Sequence, residues 1–562
     1  MEIFIFFLVY LYFFISSLGF GMIFVRLINV DLSFFKSIEM SILGLIFLTL
    51  ISYISIFFLP HGGIFNLLIH FIGFFYSIKK IFKIKFKKLY PIVISILFIG
   101  ILVSKNHDDF SYYHLQQIVN LVQNKFQIGL ANLELSYAHH SSILYLKSLF
   151  YLPIYQYYFI NVPNFIFYTS FVIFFFQNIF DKKNSNFLKI FSLFTIIYFL
   201  TKFSRLSEFG TDIMGQFCIV YFYFYLIKYT FYFDKKNNPK NEFQLAIISI
   251  IIVYCITIKT YFLIYSVLFL LIFLKINFKE YLFFLVKKKF LFLFLFSMFF
   301  LLFLVNLLTT GCLIYPVPSL CFENLSWAMK IKDVKEYSIW YEVWAKSLAG
   351  AGYRVENYQD LINNFDWLKI WINKYFFNKV TDNLFLLIFI IFVLIITIRP
   401  KNKKIVSAFN LNIFFCLSLL VLILLIWFLK FPQLRYGGYS VIFLIFASSI
   451  AIYYSQFSKI SKKYNRHIMI LIFISFSIFL IKNSIRIYGE FERNDEYKFN
   501  DFPFFYVQKN LNFTKHEIDD LIYVYNPVGP NNCWDIPAPC PARIKNLKAK
   551  KKFNFIIFYK DE

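Results

Sequence analysis

The sequence is short of charge, of acid and of chain punctuation. Only 16% of its 562 residues are charged, with 31 Asp and Glu set against 57 Lys and Arg, and it holds 17 Gly, 15 Pro and 7 Cys. So little charge excludes a soluble surface of ordinary composition, which carries charge on about a quarter to a third of its residues. There is no Gly/Ser-rich stretch and no internal repeat, which excludes flexible linkers and solenoid arrays. Seven cysteines in a chain this long exclude a small disulfide scaffold.

What fills the chain is apolar. Hydrophobic residues make up 59%, gathered in runs near 3–25, 40–59, 63–78, 89–103, 157–180, 187–200, 213–230, 244–258, 260–274, 290–308, 383–398, 409–429, 439–455 and 467–482. These runs, rich in Phe, Leu and Ile, lack strict alternation, so they predict helices rather than barrel strands. The fold class expected is an all-α polytopic membrane protein with about 14 transmembrane helices. The 82 Phe residues follow a bias toward Phe, Ile, Lys and Asn along the whole chain and do not mark a ligand.

The breaks give an orientation. Residues 79–88, 181–186, 233–240, 399–404 and 458–467 are strongly basic, which predicts that they face the cytoplasm. Counting runs between them puts all five on one side and both termini on the other, in a bacterial cytoplasmic membrane. The first run exceeds a signal-peptide core and follows no basic leader, so it is expected to be a retained span. The net charge of +26 is accounted for by these breaks, and no nucleic-acid partner is expected.

This orientation divides the chain into N-terminal spans (1–103), an extracytoplasmic acidic loop (104–156), a transmembrane core (157–309), an extracytoplasmic loop with interfacial helices (310–382), C-terminal spans (383–482) and a small extracytoplasmic tail (483–562). Cys312 and Cys321 fall in one outer loop, Cys533 and Cys540 in the tail, each pair closely spaced around prolines. Local disulfides in an oxidising compartment fit, and neither spacing matches a zinc template.

The densest polar constellation opens the 104–156 loop, where His107, Asp108, Asp109, Tyr113 and His114 lie together. Acids beside apolar walls serve as general bases, and Asp109 is the first candidate. Two other readings stay open: the acids cap the following helix, or they join His139 and His140 in holding a divalent metal, for which the spacing fits no template. Arg205, Lys259 and Arg435 fall at outer ends of spans, against the positive-inside pattern, and suit a lipid phosphate or pyrophosphate. Snorkelling to headgroups is the plainer account. Asp212 shares a loop with Arg205 and either pairs with it or binds acceptor. Trp327, Trp340, Trp344, Trp367 and Trp371 suit an amphipathic helix at the interface or a face that stacks on sugar.

The motif "DFSYYHL" at 109–115, followed by "GLANLELSYAHHSS", resembles the outer acidic loop of the GT-C superfamily of polytopic glycosyltransferases. With "SEFGTD", "GCLIYPV" and "LSW" followed by "WA", and the tail's "CWDIPAPC", the chain looks like an uncharacterised bacterial membrane family related to it. The resemblance implies a GT-C-like fold and inverting transfer of a sugar from a polyprenyl-linked donor to a glycan or glycoconjugate acceptor outside the membrane. Asp109 would deprotonate the acceptor, with Asp108 sharing the role, and Tyr113 and His114 would position it. One departure is that the acidic loop follows four apolar runs instead of the first. A flippase for lipid-linked oligosaccharide and a polysaccharide polymerase or ligase are the rival readings.

Overall fold

Each of the fourteen apolar runs is occupied by helix in the computed structural model, since in an apolar surrounding the backbone's own hydrogen bonds are the ones on offer. The structure describes residues 2–81, 89–103, 107, 109–206, 210–231, 238–347, 358–398, 411–457, 462–493, 511–519, 522–529, 532–541, 544 and 546–560. Helices α1 (Glu2–Leu27), α2 (Glu39–Ser55) and α3 (Gly63–Ile81) pack through glycine. A Cβ added to Gly19 would lie 1.9 Å from the carbonyl oxygen of Gly73, and one on Gly44 would lie 1.8 Å from that of Ser17. Only the absent side chain lets these backbones approach.

After α4 (Leu89–Phe98), which runs on as a 3₁₀ turn to Leu102, the 104–156 segment supplies two short helices, α5 (Leu115–Gln123) and α6 (Ser142–Ser148). Four helices follow: α7 (Val162–Phe180), α8 (Asn186–Lys202), α9 (Asp212–Phe231) and α10 (Asn238–Ile258). The spanning windows of α7 and α10 are 100% and 94% buried, against 28% for Asp366–Thr397 and for Asn412–Lys430, so α7 and α10 lie at the centre of the bundle and those two at its rim. Helix α7 starts five residues later than its apolar run, where Pro163 fits a first turn that needs no donor from it.

The run at Thr260–Leu274 is wound as a 3₁₀ helix. At about 2.0 Å per residue its fifteen residues reach about 30 Å, the hydrocarbon thickness, where an α-helix of that length falls short. A bend of 100° leads to α11 (Phe278–Lys287), opened by a capping box between Asn277 and Glu280. Helix α12 (Lys289–Thr310) ends at Gly311, with φ +83°.

The 310–382 segment forms α13 (Ile331–Ser347), α14 (Tyr358–Asn363) and α15 (Asp366–Trp371), the last passing through a wide π-type turn into α16 (Thr381–Thr397). Helices α17 (Leu411–Lys430), α18 (Tyr439–Ser455) and α19 (Lys462–Arg493) complete the helical part. Among the described residues eight helices are long and apolar enough to cross a membrane, nine if the bent pair is one span, while α2, α3 and Tyr90–Leu102 are apolar but shorter. The chain is a helical membrane protein.

Two expectations need correction. Trp367 and Trp371 are buried, not displayed at an interface: both pack against Phe428 of α17, and the Trp371 indole donates to the Pro432 carbonyl at 2.6 Å. The tail, for its part, holds strand. Hairpin β1 (Phe513–Asp519) with β2 (Ile522–Pro527) and hairpin β3 (Leu547–Lys552) with β4 (Phe555–Lys560) are antiparallel. The second turns at Phe553 and Asn554, both left-handed at φ +49° and +64°, which suits the twist of the strands. The tail is seated on the acidic loop: Ile128 and β4 exchange backbone hydrogen bonds at 2.9 Å, and Leu130, Leu133 and Tyr137 share a core with Val524 and Phe558. Cys312 is bonded to Cys321, and Cys533 to Cys540.

Candidate functional site

Asp109 precedes a wide π-type turn over Phe110–His114 that feeds α5, and its carboxylate makes no capping hydrogen bond to that turn. The capping reading therefore does not describe it. Instead Oδ2 lies 3.3 Å from Nδ1 of His107, 3.5 Å from the Tyr113 hydroxyl that donates to it, and 4.0 Å from Nη1 of Arg435. Asp108 lies outside the described residues.

Arg435 reaches Asp109 from the far end of the chain because the segment before α18 is held by its carbonyls. The side-chain amide of Gln216 donates to the carbonyls of Leu434 and Arg435 at 3.2 and 3.1 Å, and the Tyr261 hydroxyl to that of Arg435 at 3.2 Å. The Trp427 indole holds the carbonyl of Gln433 at 2.9 Å, and Tyr265 that of Gly437 at 2.6 Å. Gly437 sits at φ +94° beside the Tyr265 ring, a conformation that strains other residues. Buried carbonyls satisfied in this way cannot shift without losing their donors, so the guanidinium is aimed by a rigid support.

A guanidinium only donates. Nη1 of Arg435 therefore donates to Nε2 of His107 at 3.3 Å in the tautomer that carries its proton on Nδ1, facing Asp109. The backbone N–H of Asp109, 3.0 Å from the same Nδ1, competes in the opposite tautomer. Nη2 donates to the Tyr436 hydroxyl at 2.9 Å, and the enclosed Nε has no partner among the described residues. Asp109 and Arg435 keep 33% and 35% of their side-chain surface exposed, so the pair is open to a ligand.

Asp212 is the first residue of α9, led in by Gly210 at φ +62°, where an added Cβ would lie 3.2 Å from the rings of both His107 and His114. Its charge acts on Tyr113 and on Lys259, as does that of Asp109. Burial, then the carboxylates of Asp109 and Asp212, push the Tyr113 phenol well above its usual value, so it stays a donor. Burial, then the charges of His107, Lys259, Lys147 and Arg435, hold His114 well below the usual imidazole value. Its ring is neutral and stacks edge-on against Tyr113 at 4.4 Å. His139 reaches the same neighbourhood, 6.1 Å from the Tyr113 ring and 4.9 Å from that of Tyr341.

The site thus unites Asp109, Tyr113, His114, Asp212, Lys259 and Arg435 from four separate breaks. Arg205 is partly buried on the segment before α9, and among the described residues none of the contacts just given involves it. Sequence reasoning passed over Lys147, whose ammonium is buried and donates to the Asn161 side chain at 2.9 Å; burial lowers it to about 7. The signal was present: Lys147 is the only Lys, Arg, Asp or Glu between Glu134 and Asp181. Among the described residues no three His, Cys, Asp or Glu side chains converge as a metal site needs.

The fold and this cluster define a class: a helical membrane protein in which mixed charges from distant helix ends meet at one open site. A family described as a domain of unknown function, DUF8201, matches residues 3–443, and the chain belongs to it. The match takes in every segment of the cluster and stops before the tail. No curated protein and no solved structure matches the chain.

Proposed function

We propose that the protein is a membrane glycosyltransferase of GT-C-like architecture with fourteen spans, moving a sugar from a polyprenyl-phosphate or polyprenyl-pyrophosphate donor to a hydroxyl of a surface glycan or glycoconjugate. The observation that carries this reading is the meeting of Asp109 and Asp212 with Lys259, Arg435 and Lys147, because acid and cation side by side are what the two halves of such a transfer require. In this reading the cluster lies at the extracytoplasmic surface, where the outer ends of the helices collect.

Asp109 takes the proton of the acceptor hydroxyl, and the oxygen attacks the anomeric carbon from the side opposite the phosphate. The bond from that carbon to the phosphate oxygen breaks, and its electron pair leaves with the lipid phosphate. Arg435 and Lys259 receive that charge. His107, held between Arg435 and Asp109, keeps the carboxylate turned toward the acceptor. Tyr113 donates to the same carboxylate and fixes which lone pair is free.

The experiment is to incubate the purified protein and its Asp109→Asn variant, both shown to be folded, in lipid with a panel of polyprenyl-linked sugars and a cell-surface glycan as acceptor, reading free lipid carrier by mass spectrometry. Carrier release that the variant loses supports the transferase. Donor that changes leaflet intact, at a rate Asp109→Asn does not alter, replaces it with a flippase.

A further inference from the structure

The turn between β3 and β4 carries a residue that the turn itself disfavours. Phe553 and Asn554 are both left-handed, at φ +49° and +64°, a conformation that Asn, Asp and Gly adopt readily and a large aromatic does not. The Phe553 side chain is 85% exposed, so burial does not offset that strain. Within the chain its ring meets the Lys552 ammonium at 5.5 Å. A strained aromatic held out from the fold points to a contact outside the chain.

The charges beside the turn narrow that contact. Residues 547–560 hold five Lys and no Asp or Glu, and three of the five, Lys550, Lys551 and Lys552, stand exposed immediately before the turn. The Asp519 carboxylate of β1 accepts from the Ala549 N–H at 2.8 Å, so the stretch 550–553 carries three positive charges and no acid of its own. Successive residues of a strand face opposite ways, which puts Lys551 on one face of the hairpin and Lys550 and Lys552 on the other. A polyanion lying along a strand would be met by cations on one face. Ammoniums on both faces of an apolar tip suit a flat anionic surface met end-on, with the ring among apolar chains and the lysine stems reaching back to headgroups.

Position supplies such a surface. Phe555, one residue beyond the turn, packs against the core of the helical part, as does Ile128, which pairs with β4. Two residues before Ile128, the Phe126 N–H donates to the Ile56 carbonyl at 3.0 Å and the Phe126 ring stacks on Phe57 at 4.8 Å, where the chain passes from α2 to α3. Phe58 and Ile64, on either side of that passage, are 69% and 77% exposed, as apolar helix ends facing lipid are. The turn therefore stands where the helices leave the hydrocarbon. The Cys533–Cys540 bond of the same tail fits an oxidising compartment, which excludes nucleic acid as the anionic partner.

We infer that the β3–β4 turn anchors the tail to anionic lipid: Phe553 enters the bilayer surface beside the bundle, and Lys550, Lys551 and Lys552 bind the phosphates of the headgroups around it. The test is amide hydrogen exchange, followed by mass spectrometry, on the full chain in nanodiscs of phosphatidylcholine alone and of an equal mixture with phosphatidylglycerol. Exchange across residues 550–556 should be slower in the mixture by about fivefold or more, the scale of one lysine at an anionic surface. That difference should vanish in Phe553→Asn, which suits a left-handed turn better than Phe and so keeps the hairpin, and in the double variant Lys551→Gln with Lys552→Gln. Exchange in β1 and β2 checks that the tail of each variant stays folded. Equal exchange in the two lipids, or a difference that persists in either variant, overturns the inference. So does slowing by polygalacturonate in phosphatidylcholine nanodiscs that phosphatidylglycerol does not match, which would make the partner an acidic glycan. None of these readings depends on sugar transfer.

Discussion

Arg435 donates to Nε2 of His107 at 3.3 Å although 328 residues separate them in the chain. That contact joins the cation to the carboxylate of Asp109 through one ring. Neither residue does this alone, because the guanidinium is aimed by carbonyls that Gln216, Tyr261 and Trp427 hold in place.

Arg435→Lys is therefore expected to behave as a severe change. An ammonium keeps the charge but cannot reach His107 and Tyr436 at once with a planar fork. Carrier release should fall about 10²-fold, the scale of removing one donor from a charge-stabilising site. Rates of the purified variant in lipid, with folding checked by its melting profile, decide the point.

Lys147→Met should separate stability from function. The buried ammonium, lowered to about 7, is neutralised at a cost to the fold that a thioether of similar length does not incur. Since the folded value is depressed, the stability it withholds is largest below about pH 7 and shrinks as pH rises toward 10.5. The variant should melt higher than wild type at pH 6.5 and by a smaller margin at pH 9, yet bind a polyprenyl phosphate more weakly. A lower melting temperature at pH 6.5 would refute this.

The tail is tied to the acid-bearing segment by hydrogen bonds from the disulfide-closed loop. Gln116, buried on α5, donates to the carbonyls of Trp534 at 3.1 Å and Ile536 at 2.7 Å, while the Trp534 N–H donates to the Ser111 carbonyl at 3.1 Å. Gln116→Leu leaves two carbonyls without their donor, a loss of roughly 1–3 kcal/mol. Faster proteolysis of the tail and faster amide exchange in α5 are the expected outcomes. Reduction of the Cys533–Cys540 bond should act in the same direction.

Acid should loosen the 104–156 segment. Burial lowers both His139 and His140 from 6.5 to about 3, so both are neutral in the fold while the unfolded chain takes up protons first. The stability this carries is complete above about pH 6.5 and is lost as pH falls from there toward 3. His140, bonded to the Tyr53 hydroxyl, is the cleaner test. In His140→Gln the fall in melting temperature between pH 7 and pH 4.5 should be smaller than in wild type.

Much of the helical part is legible in the sequence, because insertion of an apolar run depends on that run's own composition, residue by residue. That is why each run, from Ile3–Val25 to the last, coincides with helix, and why the breaks that carry Asp109, Asp212, Lys259 and Arg435 stand out as polar exceptions. Other features depend on contacts between residues far apart in the chain. Strand β4 of the tail pairs with the chain around Ile128, and Trp367 and Trp371 are buried by α17, so composition alone gave the tail no strands and pointed the tryptophans toward an interface. Lys147 reads as one more lysine until packing closes over it.

The sequence by itself determined that this chain is a helical membrane protein and which of its polar residues interrupt the apolar pattern. Only the tertiary structure decided that those residues meet, and that Asp109 faces His107 and Arg435 instead of capping its own helix. The physical reason is range: transfer of a helix from water is a local and nearly additive quantity, whereas the position of a side chain is set by close approaches such as Gly19 against Gly73, between residues that sequence distance leaves unrelated.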